Sequence, residues 1–383
     1  MKAEVAFPSL FTAARALKPY TTAQRWRTST RLLHLHAGGD TLTLTASTGE
    51  ETASVPLDGA VSDGAAALPP DALINALTVL KPAGRAADRA IVTLHSEADR
   101  LHLSIDGGPT IDLDLETPHA HPPALPAAPA LALRLVTEGS VADWCDLVAG
   151  VATAASHDPA RPELAVVRLL RDHPQVVLMV EAADAHRIHR GTWGDPDGEP
   201  VDVRIPAEAA ARAVRLLRTL DPAGHIRIDA DDRLVSWRTD RIRLSATTGG
   251  GGVFPDLEKI REDVLDDATV RFTVDRTELL AVLDAAHRLT APIRHPRIRL
   301  DHHQPGVLDV VVPSQAGTAM YTGHVPVRDA AGPVRRILID PDLVRDAVAF
   351  LDGDAVTVHT IPNRLPTYLA GARRHAVVMQ IAG

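Results

Sequence analysis

Apolar and polar positions along the chain fall into two patterns, and their order repeats. In Ala72–Leu80, Ala209–Leu220 and Leu343–Leu351 the apolar residues recur at helical spacing, which places them on one face of a helix. In Ala90–Ile105, His225–Leu244, Ala355–Ile361 and Thr367–Ile381 apolar and polar residues alternate, which predicts antiparallel strands. Each helix follows a similar start: Leu68-Pro69-Pro70-Asp71, Ile205-Pro206-Ala207-Glu208 and Ile339-Asp340-Pro341-Asp342. Pro pre-sets φ for a first helical turn, and an acidic side chain there complements the helix dipole. The starts are 137 and 134 residues apart, so the chain is built by internal repetition.

A weaker helix-then-strands unit precedes each copy, at Phe7–Ala14, Glu138–Cys145 and Val274–Leu280. Ser9, Ser140 and Asp275 or Thr277 are the candidate N-caps, because a short side-chain oxygen can satisfy an orphan backbone N–H. The pattern predicts an α+β chain of three domains, 1–118, 131–255 and 269–383, each made of two helix-plus-antiparallel-sheet half-units. The first linker, 119–130, follows from Pro122, Pro123, Pro126 and Pro129, which lack the donors that a helix or ladder needs. The second, 256–268, follows Gly249-Gly250-Gly251-Gly252, which reads as a hairpin tip or mobile loop. No Gly-Lys-Ser/Thr follows those glycines, so a phosphate cradle is a poor reading.

Composition supports several modest cores rather than one large one. With 383 residues, 45% hydrophobic but only 3% aromatic, packing falls to Leu, Val, Ile and Ala. One cysteine, Cys145, excludes an internal disulfide framework and reads as a small buried residue of a helix. Neither a signal-like apolar run nor an 18-residue apolar span is present, so a cytoplasmic location is the expectation.

Several short motifs, taken in order, carry a family resemblance. Asp184-Ala185-His186-Arg187-Ile188 is similar to the Thr-Asp-Gly-His-Arg-Leu signature in the middle domain of bacterial sliding clamps, the beta subunit of DNA polymerase III. Phe254-Pro255-Asp256-Leu257 resembles the Phe/Tyr-Pro-Asp segment that leads to that family's third domain. Ile339–Leu343 and Leu351–Thr357 look like the helix and strand that open its last half-domain, and Ala376-Val377-Val378-Met379 aligns with the strand before its C-terminal tail. The resemblance spans the chain without a large insertion.

It implies three tandem clamp domains arranged as a ring or crescent, helices inside and sheets outside. Two subunits joined head to tail as a homodimer would encircle double-stranded DNA without reading its sequence, loaded by a clamp loader. Arg15, Lys18, Arg25, Lys81, Arg212, Arg215, Arg218 and Arg345 are then the DNA-channel candidates. Arg212, Arg215 and Arg218 recur at three-residue spacing and share a helix face. The net charge of −9 argues against an ordinary open DNA-binding surface, whereas a ring can be acidic outside and basic inside.

The family also holds clamp-binding peptides of polymerases and repair proteins between its second and third domains. Carried over residue by residue, that pocket comprises Leu164, Ala183, Ala185, His186, Arg187, Ile188, Pro255, Lys259, Ile260, Val378 and Met379. Two positions depart from the pattern. Ala185 stands where the family has Gly, and the tail is Met379-Gln380-Ile381-Ala382-Gly383 instead of Met-Pro-Met/Val-Arg-Leu. A divergent paralogue with altered partner choice is the expectation. The subunit interface maps to Arg288 and Leu289 against Ile111, and an Arg buried there without a carboxylate would weaken closure.

Other chemistry finds less support. The 18 histidines include His34 with His36, His119 with His121, Asp301-His302-His303, and His186 with His189, but none has zinc-site spacing and no His-Glu-x-x-His is present. Most of them read as surface or turn residues. No cofactor, metal or catalytic residue is expected, and the chain reads as a non-enzyme. The alternatives are a clamp-derived interaction or regulatory protein that does not close on DNA and, third, a metal-dependent hydrolase on a similar repeat.

Overall fold

The computed structural model describes residues 1–21, 28–116, 134–173, 176–194, 198–249, 251–293, 296–303, 306–314, 319–332, 335–360 and 366–381. The chain opens with β1 (Lys2–Ala6), α1 (Phe7–Leu17), β2 (Leu33–Gly38), β3 (Thr41–Ser47), β4 (Glu51–Ser62) and β5 (Gly64–Leu68). Next come α2 (Pro70–Leu80), β6 (Ile91–Glu97), β7 (Arg100–Ile105) and β8 (Thr110–Asp114). The middle third holds β9 (Arg134–Ser140), α3 (Val141–Ala152), β10 (Val166–Arg171), β11 (Leu178–Ala183), β12 (Arg187–Trp193) and β13 (Val201–Pro206). It continues with α4 (Ala207–Leu220), β14 (His225–Ala230), β15 (Leu234–Arg238) and β16 (Arg243–Thr247). The last third has α5 (Leu257–Asp267), β17 (Val270–Asp275), α6 (Arg276–Thr290), β18 (Ile298–His303), β19 (Val307–Pro313) and β20 (Ala319–Ala331). It ends with β21 (Arg335–Ile339), α7 (Pro341–Phe350), β22 (Ala355–Thr360), β23 (Pro366–Ala370) and β24 (Arg374–Met379).

The three Pro-containing starts open α2, α4 and α7, with Asp71, Glu208 and Asp342 in their first turns. Two of the predicted caps form: Ser140 Oγ accepts from Asp143 N–H, and Asp275 caps α6 by accepting from Glu278 N–H at 3.0 Å. Ser9 does not cap, because α1 starts two residues earlier at Phe7 and places Ser9 inside its first turn. The segment read as the second linker is helical over Leu257–Asp267, capped by Asp256. Gly249, Gly251 and Gly252 lead from β16 to α5 rather than forming a hairpin tip. The predicted 119–130 linker, together with Arg25, His119, His121, Gly250, Ala382 and Gly383, lies outside the described residues.

Contacts gather the chain into two compact units, residues 1–145 with 208–248 and residues 146–207 with 249–383. In the first unit a mixed-order antiparallel sheet runs β8-β7-β6-β1-β4-β16-β15-β14-β9, with β3, β2 and β5 continuing from β4. In the second, the order is β13-β10-β11-β12-β24-β23-β22-β17-β20-β19-β18-β21. Each sheet joins segments distant in sequence at one antiparallel pair: Glu51–Ser54 of β4 on β16, and Arg187–Gly191 of β12 on β24. In the second unit the apolar stripe of α6 (Leu279, Leu283, Ala286) and that of α7 (Val344, Ala347, Val348) pack with Val270, Phe272 and Val274 of β17. Full burial of each large side chain there contributes about 1.5–3 kcal/mol.

Three of the histidines, His34, His189 and His302, are buried. Burial holds the His189 imidazole neutral, with its pKa lowered to about 4, while its Nδ1 meets Gly150 O at 2.9 Å and its ring stacks on Phe350. Burial, reinforced by the Arg190 and Arg261 guanidiniums, likewise lowers His375 to about 4. An unfolded histidine titrates near 6.5, so between these values the unfolded chain binds more protons and stability falls as pH drops. The two groups add up to about 2–3 kcal/mol per pH unit around pH 5 to the slope of stability against pH. Denaturant unfolding of the second unit, followed between pH 7 and 4.5, should show that slope reduced in H189Q/H375Q.

Candidate functional site

The residues assigned to a peptide pocket fall in the second unit, four of them where α5 covers the sheet face. Alternation along β10, β11, β12 and β24 brings Val166, Ala183, Ile188 and Val377 into one apolar row, joined by Leu164 from the short turn before β10. Leu257, Ile260 and Val264, spaced along one stripe of α5, close over this row with Phe254 and Tyr368. Leu164, Ala183, Ile188 and Ile260 are therefore assembled. Val378 points to the other side, into the helix-packed core with Ala376, and its neighbour Val377 takes the pocket-side place. A strand turns every second side chain over, so a one-residue shift in reading exchanges faces.

The turn between β11 and β12 is held by Asp184, whose Oδ1 accepts from the N–H groups of His186 (2.7 Å) and Arg187 (2.8 Å). Ala185 and His186 are exposed at its tip. Among the described residues the only non-glycine positions with positive φ are Ala98 and Asp329, so the turn accommodates Ala185 in place of the family's Gly without strain. Arg187 is half-withdrawn, bonded to Asp184 and, at 2.9 Å, to Asp346 of α7. Pro255 is half-buried before α5, and Lys259 is exposed and pairs with Asp263 at 3.4 Å.

Beside the apolar row runs a charged one that the sequence did not reveal. Arg168, Glu181 and Arg190 lie across β10, β11 and β12, with Glu181 almost fully buried 3.1 Å from Arg168 and 3.2 Å from Arg190. Burial pushes the Glu181 carboxyl up, and the two guanidiniums oppose that shift. Arg168 also forks onto Asp202 at 2.7 and 2.8 Å, which holds that carboxyl below its usual range. Arg190 and Arg261 both bond Glu258 of α5. Arg168, Glu181, Arg190 and Glu258 line a cleft of about 260 Å³ with Leu170, Phe254 and Leu257.

Met379 is half-buried and its N–H donates to His186 O at 2.8 Å, tying the tail to the turn. Gln380, where the family has Pro, donates its side-chain amide to the hydroxyls of Thr360 and Thr367, both buried, at 3.0 Å each. Ile381 N–H then reaches Leu338 O at 2.8 Å. The tail up to Ile381 is thus built into the sheet.

The channel candidates divide by their partners. Arg15, Lys81, Arg215 and Arg218 are exposed, Arg15 lying over the Phe11 ring and Arg218 donating to Cys145 O at 3.2 Å. Lys18 pairs with Asp71 at 2.6 Å, Arg345 with Asp284 at 2.5 Å, and Arg212 with the buried Glu51 at 3.0 Å. Arg212 therefore does not share the exposure of Arg215 and Arg218. Of the interface candidates, Ile111 is half-buried on β8 at the end of its sheet, while Arg288 and Leu289 are exposed near the end of α6. Cys145 is buried, with its thiol pushed up to about 11 by burial. Among the described residues no three His, Cys, Asp or Glu side chains are placed to hold a metal ion, and no helix is long and apolar enough to cross a membrane.

The two amide–hydroxyl bonds of Gln380 contribute roughly 2 kcal/mol to holding the tail. In Gln380→Ala, hydrogen exchange at the Met379 and Ile381 amides should therefore quicken by about an order of magnitude or more, with helix α6 unchanged.

No protein-family model matches the chain, and no curated protein matches it significantly. Solved structures do. A DNA polymerase sliding clamp from Bacillus subtilis superposes with a TM-score of 0.86 at 15% identity, covering 100% of this chain and 99% of its own. The DNA polymerase III beta subunits of Pseudomonas aeruginosa, in a structure bound to griselimycin, and of Streptococcus pneumoniae give 0.85 and 0.84, each at 16% identity with 100% of both chains covered. The chain has, over its whole length, the fold of the DNA polymerase III beta subunit, three tandem sliding-clamp domains.

Proposed function

We propose that this protein is a sliding-clamp-like processivity factor, a non-enzyme that encircles duplex DNA and tethers polymerase or repair proteins by short peptides. The observation that carries this reading is the two-way, full-length correspondence with solved clamps. A ring holds DNA by topology, so it needs only weak contacts to phosphates. The mixture of exposed Arg15, Lys81, Arg215 and Arg218 with the carboxylate-bound Lys18, Arg212 and Arg345 suits such a hold. Arg25 belongs to the same proposed set.

Closure requires a second copy, joined head to tail. β4 and β12 each receive a strand from a distant half-unit, whereas Ala319–Gly323 of β20 pairs with β19 alone among the described residues, and β8 ends its sheet. These two edges are complementary places for pairing between copies, with Ile111 on one strand and Arg288 and Leu289 on the helix packed near the other. The proposed domains are 1–118, 131–255 and 269–383, with 119–130 and 256–268 between them, and a clamp loader would open the ring. The proposed peptide pocket takes Leu164, Ala183, Ala185, His186, Arg187, Ile188, Pro255, Lys259, Ile260 and Met379, with Val377 in place of Val378, which faces the other core, and with Gln380 anchoring the segment next to Met379. Because that anchor replaces a proline, partner choice differs from that of ordinary clamps, as in a specialised paralogue working in the cytoplasm. The charge of Arg288 favours a second reading, a clamp-derived regulatory protein that does not close on DNA.

On a nicked circular plasmid, protein loaded by a clamp loader should be retained through a salt wash and lost when the plasmid is cut. Equal retention on circular and linear DNA would rule out encirclement. In sedimentation the protein should run at about twice 40.9 kDa, and a species of 40.9 kDa alone would sink the ring in favour of the regulatory reading.

A further inference from the structure

The two pairings that join distant half-units carry the same ion pair at the same place with the charges exchanged. Glu51 and Arg187 are equivalent, each the first paired residue of its strand, opposite Ala246 of β16 and Val378 of β24. Arg212 and Asp346 are equivalent too, 134 residues apart in helices whose starts are separated by the same 134. In the first unit the strand contributes the anion and the helix the cation, with Arg212 Nε 3.0 Å from Glu51 Oε2. In the second the strand contributes the cation and the helix the anion, Arg187 Nη1 to Asp346 Oδ2 at 2.9 Å. Glu51 is buried, and Arg187 is only 12% exposed. The corresponding place on α2 is taken by the uncharged Asn75.

We propose that these exchanged pairs decide which half-unit docks with which. Six similar half-units in one chain offer near-degenerate ways to pair, because backbone ladders and Leu/Val/Ala faces discriminate poorly between copies, and misassembly is the characteristic failure of repeated domains. If β4 took the half-unit of β24, Glu51 would meet Asp346. If β12 took the half-unit of β16, Arg187 would meet Arg212. Each wrong pairing brings like charges together in a partly buried place, where their repulsion is screened less than in open water. Asp184, Glu208 and Arg345 also bond Arg187, Arg212 and Asp346, each from its partner's own half-unit, so they accompany right and wrong pairings alike and soften the difference without reversing it.

Three forms of the full-length chain test this. E51R/R212E keeps an ion pair but gives both joints the same polarity. E51R/R212E/R187E/D346R exchanges both and makes them different again. After dilution from denaturant, the recovery of native monodisperse protein should fall at least about twofold in the double-swap variant and return toward the wild-type value in the quadruple variant. A purely structural role for the pairs predicts the opposite order, since the quadruple variant disturbs twice as many sites. The proposal is overturned if the E51R/R212E protein refolds as well as wild type, or if the quadruple variant recovers no better than it. Should E51R/R212E not fold at all, recovery of the quadruple variant alone still decides between the two accounts.

Discussion

The structure depends on two short antiparallel pairings, β4 with β16 and β12 with β24. Each joins residues nearly two hundred positions apart: Glu51 lies opposite Ala246, and Arg187 opposite Val378. Without them each sheet would break in two and expose open edges, which invite association with other chains. Their ladder bonds are few, so the joint relies on what flanks it. On one side of the second joint lie the α6 and α7 stripes, and on the other the row Val166, Ala183, Ile188 and Val377 under α5. A strand covered on both faces is fixed in register, because slipping by one residue would exchange the two cores.

That dependence explains what the sequence could disclose. The helix starts are local: Pro, an acidic residue and an apolar stripe act within one turn, and α2, α4 and α7 begin where those signals stand. Asp275 and Ser140 cap for the same reason, and Ser9 misleads because Phe7 and Pro8 begin α1 before it. The long-range joints carry no such mark. Val377 and Val378 are indistinguishable by type, so their assignment to opposite faces waits on the register with β12. Helix α5 was legible in principle, for Leu257, Ile260 and Val264 keep helical spacing, but its charged residues disguise the stripe. The charged row Arg168, Glu181 and Arg190 is spread over three strands and becomes a row only on pairing.

The basic residues of the helices bear on how a chain of net charge −9 could meet an anion, as the proposed function requires. Several of them are already answered within the chain: Lys18 by Asp71, Arg212 by Glu51, Arg345 by Asp284. A cation bound to a carboxylate neutralises little of a phosphate's charge, so counterion release on DNA binding would come from a minority of the positive side chains. An open surface so equipped would bind DNA poorly. For a protein held by closure, the same economy of charge permits movement, because few bonds have to break at each step.

The tail argues in the same direction for partner binding. A proline after Met379 would stiffen the backbone but could offer no donor, whereas Gln380 fixes the same segment through the Thr360–Thr367 pair. The restraint moves from the backbone to a side chain, and the chain continues to Ile381 along β21 rather than turning away. Met379 is therefore placed by four neighbours at once: His186 through its carbonyl, Thr360 and Thr367 through Gln380, and Leu338 through Ile381. A wall fixed in this way adapts less to an incoming side chain than one ending in a free tail. Under the proposed clamp function, selectivity for a narrower set of peptides would follow from that rigidity, with Leu164, Ala183 and Ile188 as the apolar floor.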